Sequence, residues 1–273
     1  MIRLLATSLD AWHLNVSGGR TTMDLVTKNL LAEFSKEHGI EGLKESKQFE
    51  HFCAFVMIRG EHSESFDTHD VVVGDDETTH GGGDTGIDAV AIIANGVLIT
   101  DIDELEELVE HAGYLDVTFI FVQAETSSSF ESAKIGTFGA GVVDFFRDVP
   151  KFARNNKVQD AASIAKAIYD KSGKFRKGRP ICKLFYVTTG QWKEDATLQA
   201  RLDLVEDDLR DTGQFRSVEF TPIGADGVQN RYISKADTAE RRNSYSLARP
   251  PCQTLTPSMR LILGSCHGQN SRS

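Results

Sequence analysis

Val117-Thr118-Phe119-Ile120-Phe121-Val122 is a run of β-branched and aromatic side chains, and polar character returns only at its end, in Gln123, Ala124, Glu125 and Thr126. Strand propensity and unbroken apolarity make this the central strand of a sheet covered on both faces. Alternation along a strand sends Gln123 and Glu125 to one face and Ala124 to the other. Upstream, Ile87 to Ala94 is again apolar and β-branched, and Asn95-Gly96 links it to Val97-Leu98-Ile99, a strong hairpin signal. Asp88 stands at the mouth of that neighbouring strand.

Outward from this pair, Leu25, Leu30, Leu31 and Phe34 predict a helix from Asp24, stopped by Gly39. A second helix, about Ser46 to Arg59, buries Phe49, Phe52, Cys53, Val56 and Met57, with Glu50 beside that stripe. The three valines within His69 to Gly74 read as a short strand, and His80 to Gly86 as a glycine-rich loop. Helical patterns follow over Asp103–His111, Phe138–Phe146, Ala161–Tyr169 and Leu198–Leu209, and strands over Ile181–Thr188 and Ser217–Ile223. The order predicts an α/β sandwich with a mixed sheet. Residues 1–22 lack a sustained period and read as a flexible leader, 23–236 as one domain, and 237–273 as a disordered tail. A sharper reading makes that tail a frameshifted or truncated end.

The formal charge of −10 weighs against sequence-independent attraction to nucleic acid, yet the charges are segregated. Twelve basic and three acidic residues lie between Arg147 and Lys193, a net of +9, whereas six of the ten residues from Asp101 to Glu110 are acidic. Such asymmetry can separate a metal-binding side from a phosphate-binding side; the alternative, favoured for any single run, is that both are solvated helix faces. Cys53, Cys182, Cys252 and Cys266 lack the spacing of a zinc site or a disulfide scaffold, which points to a reducing cytoplasm. No apolar run reaches the length of a membrane span.

Phosphodiester hydrolysis needs a divalent cation, and Mg²⁺ takes oxygen ligands from one or two carboxylates. Asp88, Gln123 and Glu125 supply such oxygens from two adjacent strand ends, with Glu50 as a fourth donor from the preceding helix. Lys174, Arg176, Lys177 and Arg179, around Gly173 and Gly178, form a loop suited to backbone phosphates, with Phe175 able to stack on a base. Ser127 and Ser128 form a polar turn that could touch phosphate. Competing chemistries find no support. His51, His62, His69 and His80 lack zinc spacing and read as surface residues, no G-x-S-x-G elbow surrounds the serines, and the glycine loop lacks G-K-[ST].

The stretches G-G-G-D-T-G-I-D-A-V-A-I-I-A-N-G, L-D-V-T-F-I-F-V-Q-A-E-T-S-S-S-F and I-G-T-F-G-A-G-V-V-D-F-F resemble the N-terminal nuclease domain of AIPR proteins, which act in abortive-infection phage resistance. The resemblance runs from about Met23 to Ser234. It implies a restriction-endonuclease-like, three-layer α/β sandwich of the PD-(D/E)XK type. It also implies a cytoplasmic, Mg²⁺- or Mn²⁺-dependent endonuclease acting on DNA rather than RNA, with Asp88 as the metal-binding Asp, Gln123 at the Glu/Gln position and Glu50 as the acidic residue of the first helix. A homo-oligomeric state and a further C-terminal AIPR domain absent from this chain are part of the same expectation. Glu125 departs from the pattern, which has Lys there. A carboxylate cannot donate that positive charge, and two or three carboxylates would meet without a local cation. The alternative reading is therefore a nuclease-fold module that binds or senses nucleic acid without cutting it.

Overall fold

The structure, a computed structural model, describes residues 23–62, 64–74 and 85–234. The leader, most of the glycine loop including His80, Cys252 and Cys266, and the tail all lie outside the described residues. The chain divides into two units after Tyr232, and the sheet, its helices and the candidate site belong to the first.

Five strands form one mixed sheet: β1 (Ala89–Ala94), β2 (Val97–Leu98), β3 (Val117–Glu125), β4 (Ile181–Thr188) and β5 (Ser217–Ile223). Their spatial order is β2-β1-β3-β4-β5, with β1 antiparallel to both neighbours and β3, β4 and β5 mutually parallel. Asn95 and Gly96 both have positive φ, 53° and 87°, the backbone that a two-residue turn needs to match strand twist. The central position of β3 follows from its burial, since Phe119, Ile120 and Phe121 are all wholly enclosed.

Alternation along the strands loads both faces. Phe119, Phe121, Leu184, Tyr186 and Phe220 pack with Ile135, Phe138, Val142, Val158, Leu202 and Val205 in one core. Those partners come from α4 (Ser132–Phe145), α5 (Asn156–Asp170) and α6 (Ala196–Asp211), and α3 (Ile102–Ala112) adds Leu105. Ala91, Ile93, Ile120, Val122, Phe185 and Val187 pack on the other side with Phe34, Phe49, Phe52, Val56 and Met57 of α1 (Leu25–Glu37) and α2 (Glu45–Ile58). The chain is thus an α/β protein whose mixed sheet is flanked by helices on both faces. Burying each of these phenylalanines contributes roughly 2–3 kcal/mol against exposure, so the two cores dominate the stability of the layers.

The helix ends obey local chemistry. Asp24 caps α1 by accepting from the Val26 and Thr27 amides, Asp101 caps α3, and Gly113 closes α3 with φ 74°. Asn155 caps α5 through Val158, which starts that helix five residues before the expected Ala161. The His69–Gly74 strand is a correction: Thr68–Asp70 form a short 3-10 helix, and Val72 makes only an isolated bridge to Ala89. The valines are buried nonetheless, which explains their strand-like signature. No helix among the described residues is long and apolar enough to cross a membrane.

Candidate active site

β1 and β3 run antiparallel with Ala89 opposite Val122, so Asp88 arrives beside Gln123 at the C-terminal end of β3. Its backbone is held on two sides, with the amide donating to the Val122 carbonyl and the carbonyl accepting from the Val73 amide, both at 2.9 Å. The side chain is held too. Oδ2 accepts from the Ala124 amide at 2.7 Å, which continues the ladder with a carboxylate in place of a backbone carbonyl. Asp88 is consequently a buried, oriented carboxylate rather than a solvated strand end.

Gln123 and Glu125 lie on the α4 face of β3, and the Gln123 amide approaches Glu125 Oε1 at 3.5 Å. Tyr186, in register with Gln123 on β4, faces the same way. The Gln123 Oε1 atom is buried without a hydrogen-bond partner, and so is the Tyr186 hydroxyl, which approaches the Glu131 backbone without forming a good hydrogen bond. A buried amide oxygen such as that of Gln123 is costly in a protein interior unless a ligand satisfies it. Burial raises the Tyr186 phenol far above its ordinary pKa, and the negative charges of Glu125, Glu131 and Asp88 push it the same way. Those carboxylates therefore share one neighbourhood with the phenol.

A cation missed in the sequence completes this corner. Lys134, in the first turn of α4, places Nζ 2.8 Å from Glu125 Oε2 and 3.8 Å from Glu131 Oε1. Its hydrogen bond to Glu125 raises the ammonium pKa, outweighing the opposing effect of partial burial. The expectation that the carboxylates meet without a local cation is corrected. The signal was available in principle, because a serine turn and one helical turn separate residues 125 and 134, but the expected helix began only at Phe138.

Glu50 stands elsewhere in this geometry. It sits on α2, on the opposite face of the sheet from Gln123 and Glu125, where Lys47 pairs with it at 2.7 Å. Burial raises the thiol pKa of Cys53, and Asp88 and Glu50 both push it further, so α2 brings Glu50 within electrostatic reach of the site's rear. As ligands for a divalent cation, the Asp88 carboxylate, the unpartnered Gln123 oxygen and Glu125 fit the hard-oxygen preference of Mg²⁺ or Mn²⁺. Among the described residues, no group of three or more His, Cys, Asp or Glu side chains is placed to hold a metal ion.

Several expected contributors are placed differently. The Ser127–Ser128 turn lies at the site's end of β3, but its backbone is tied to the end of β4 through the Thr189 amide and the Ser127 carbonyl at 3.2 Å. The loop of Lys174, Arg176, Lys177 and Arg179 precedes β4, which runs parallel to β3, and is anchored at the start of β3 by hydrogen bonds of Leu115 with Lys174 and Arg176. At about 3.3 Å per residue, the nine residues of β3 put it roughly 26 Å from Glu125. Arg176 and Lys177 both pair with Asp116 at 2.9 Å, and Phe175 packs edge-on against Tyr169. This loop is a structural clasp at the far end of the sheet, not a rim of the candidate site.

The acidic and basic runs touch at one place: α3 packs against α5, and Lys171 joins Glu106 at 2.7 Å. Two of the supposed surface histidines are interior. His51 is fully buried against the Thr68 hydroxyl at 2.7 Å, and buried His62 reaches the Gly96 carbonyl at 2.9 Å. No family model, curated protein or solved structure matches the chain.

Proposed function

We propose that this protein is a divalent-metal-dependent endonuclease of the restriction-endonuclease-like type, acting on DNA rather than RNA in abortive-infection defence in the bacterial cytoplasm. The observation that supports the reading is the Asp88 carboxylate bound to the Ala124 amide, between Gln123 and Glu125 at the end of β3, with Lys134 on Glu125 Oε2. The mixed sheet between two helical layers is compatible with that fold, and the resemblance to AIPR nuclease domains supplies the biological setting.

A bound Mg²⁺ or Mn²⁺ would supply Lewis-acid charge and acidify water. The chain's own groups do the rest. Asp88, held by the Ala124 amide, and the Gln123 oxygen fix the ligand geometry with little side-chain entropy left to lose. Glu125 accepts a proton or holds the cation, and Lys134 replaces the positive charge that the family pattern places at residue 125. An ammonium at this corner can donate to a non-bridging phosphate oxygen as negative charge develops.

A cleavage assay on plasmid and on RNA with Mn²⁺, beside Asp88→Asn, tests the reading. Asp88-dependent cutting supports it, and equal cutting by both proteins refutes it. The second reading, a nucleic-acid-binding module without hydrolysis, is favoured by Lys134 already occupying Glu125. Glu125→Lys distinguishes them, because a gain of cleavage supports the non-cutting module and a loss supports carboxylate chemistry.

A further inference from the structure

Beside the candidate site, a groove of about 730 Å³ runs along α4 towards α6 and the loop that follows α4. Its floor is the small-residue face of α4, Ala133, Gly136, Thr137 and Ala140, and Arg201 and Phe152 line it too. Thr85 and Ser132 connect it to the catalytic corner: Thr85 precedes Gly86, which lies against Gln123 and Thr137, and Ser132 is two residues before Lys134.

Charge is the first sign of its occupant. In a chain with 40 acidic and 30 basic residues, no carboxylate among the described residues lines this groove, while an arginine does. Arg201 lies across Gly136, and among the described residues its hydrogen-bond partner is the Ser132 hydroxyl at 3.4 Å; it enters no ion pair. The loop carrying Phe152 is basic as well, with Arg147, Lys151 and Arg154 against Asp148.

The second sign is rigidity. Phe152 leaves 46% of its surface exposed, an expensive position for an aromatic ring, yet its backbone is fixed. Buried Asp144 accepts from the Lys151 and Phe152 amides at 2.8 and 3.1 Å, and Arg154 donates to the Asp144 and Phe145 carbonyls. An exposed ring held on a pinned basic loop, with an uncompensated guanidinium lining the same groove, matches the stacking-plus-phosphate chemistry of single-stranded nucleic acid.

We propose that this groove binds one strand of nucleic acid, with Arg201 on a phosphate and Phe152 against a base, and leads it to Glu125 and Lys134. The assignment rests on the nuclease reading for its direction, but strand binding itself is measured without metal. Fluorescence anisotropy of a short fluorescein-labelled oligothymidylate should show about tenfold weaker binding for Arg201→Glu and for Phe152→Ala, each checked for an unchanged thermal melt. Binding by both groove variants within twofold of the native protein, or no binding by the native protein at low salt, overturns the groove. Tighter, groove-dependent binding of a duplex overturns the single-strand assignment. Asp88-dependent cutting with groove-independent binding leaves the nuclease reading standing alone, whereas groove-dependent binding without any cutting does the reverse.

Discussion

Lys134 and Glu125 form an ion pair at 2.8 Å that joins the first turn of α4 to the last residue of β3. The Glu125 side chain is 21% exposed and that of Lys134 42%, so water screens the pair and its net contribution to stability is about 0.5–1 kcal/mol. Under the proposed function its chemical importance would exceed that figure. Lys134→Met is expected to reduce cleavage by about a hundredfold while leaving the metal-induced rise in melting temperature intact, as measured by single-turnover kinetics beside thermal melts.

Charge reversal examines the same pair without reference to activity. Glu125→Lys sets two ammonium groups together and should lower stability by about 1 kcal/mol, and adding Lys134→Glu should restore most of it. Urea melts of the two single variants and the double variant read this directly. Additive losses would show that the two side chains do not interact in solution.

Asp88 has a structural duty that must be separated from its chemical one. Asp88→Ala leaves the Ala124 amide without its acceptor and should cost about 1–3 kcal/mol, whereas Asp88→Asn keeps an acceptor oxygen and should cost less. Under the proposed function, millimolar Mg²⁺ or Mn²⁺ should raise the melting temperature of the native protein and of neither variant. A native melting curve indifferent to both metals would remove the metal from the proposed site.

Acid sensitivity should have a component at the opposite end of the sheet. Burial alone would raise the Asp116 carboxyl, but hydrogen bonds from Lys177 and Arg176 outweigh it and hold the pKa below its ordinary value. A depressed folded-state pKa stabilises above the unfolded value, and that stability disappears as pH falls through the folded one. Asp116→Asn should therefore melt below the native protein at pH 6, and the gap should close below about pH 4. A gap that persists at pH 2 would assign the effect to packing.

Much of this architecture was legible in the residues. Val117 to Val122, the Asn95-Gly96 hairpin and the stripes of α1 and α2 carry strong local signals, and the structure places them as those signals require. Readings that depended on direction did not survive. Nothing local to Lys174–Arg179 tells which end of the sheet it occupies; that follows only once β3 and β4 are known to be parallel, because the segment entering a parallel strand lies opposite the segment leaving it. Lys134 was missed for a related reason, since its role is created by the chain reversal after Glu125 and not by its neighbours in sequence. The valines at 71–73 misled because burial and strand formation favour the same side chains.

At Gly139 α4 lies directly against α6: a methyl group there would run into the Val205 side chain. α4 carries Lys134 in its first turn and α6 carries Arg201, so the spacing of the two helices bears on both side chains. Gly139→Ala should push α4 away from α6 and loosen the grip of Lys134 on Glu125 from a position that lines neither the groove nor the ion pair.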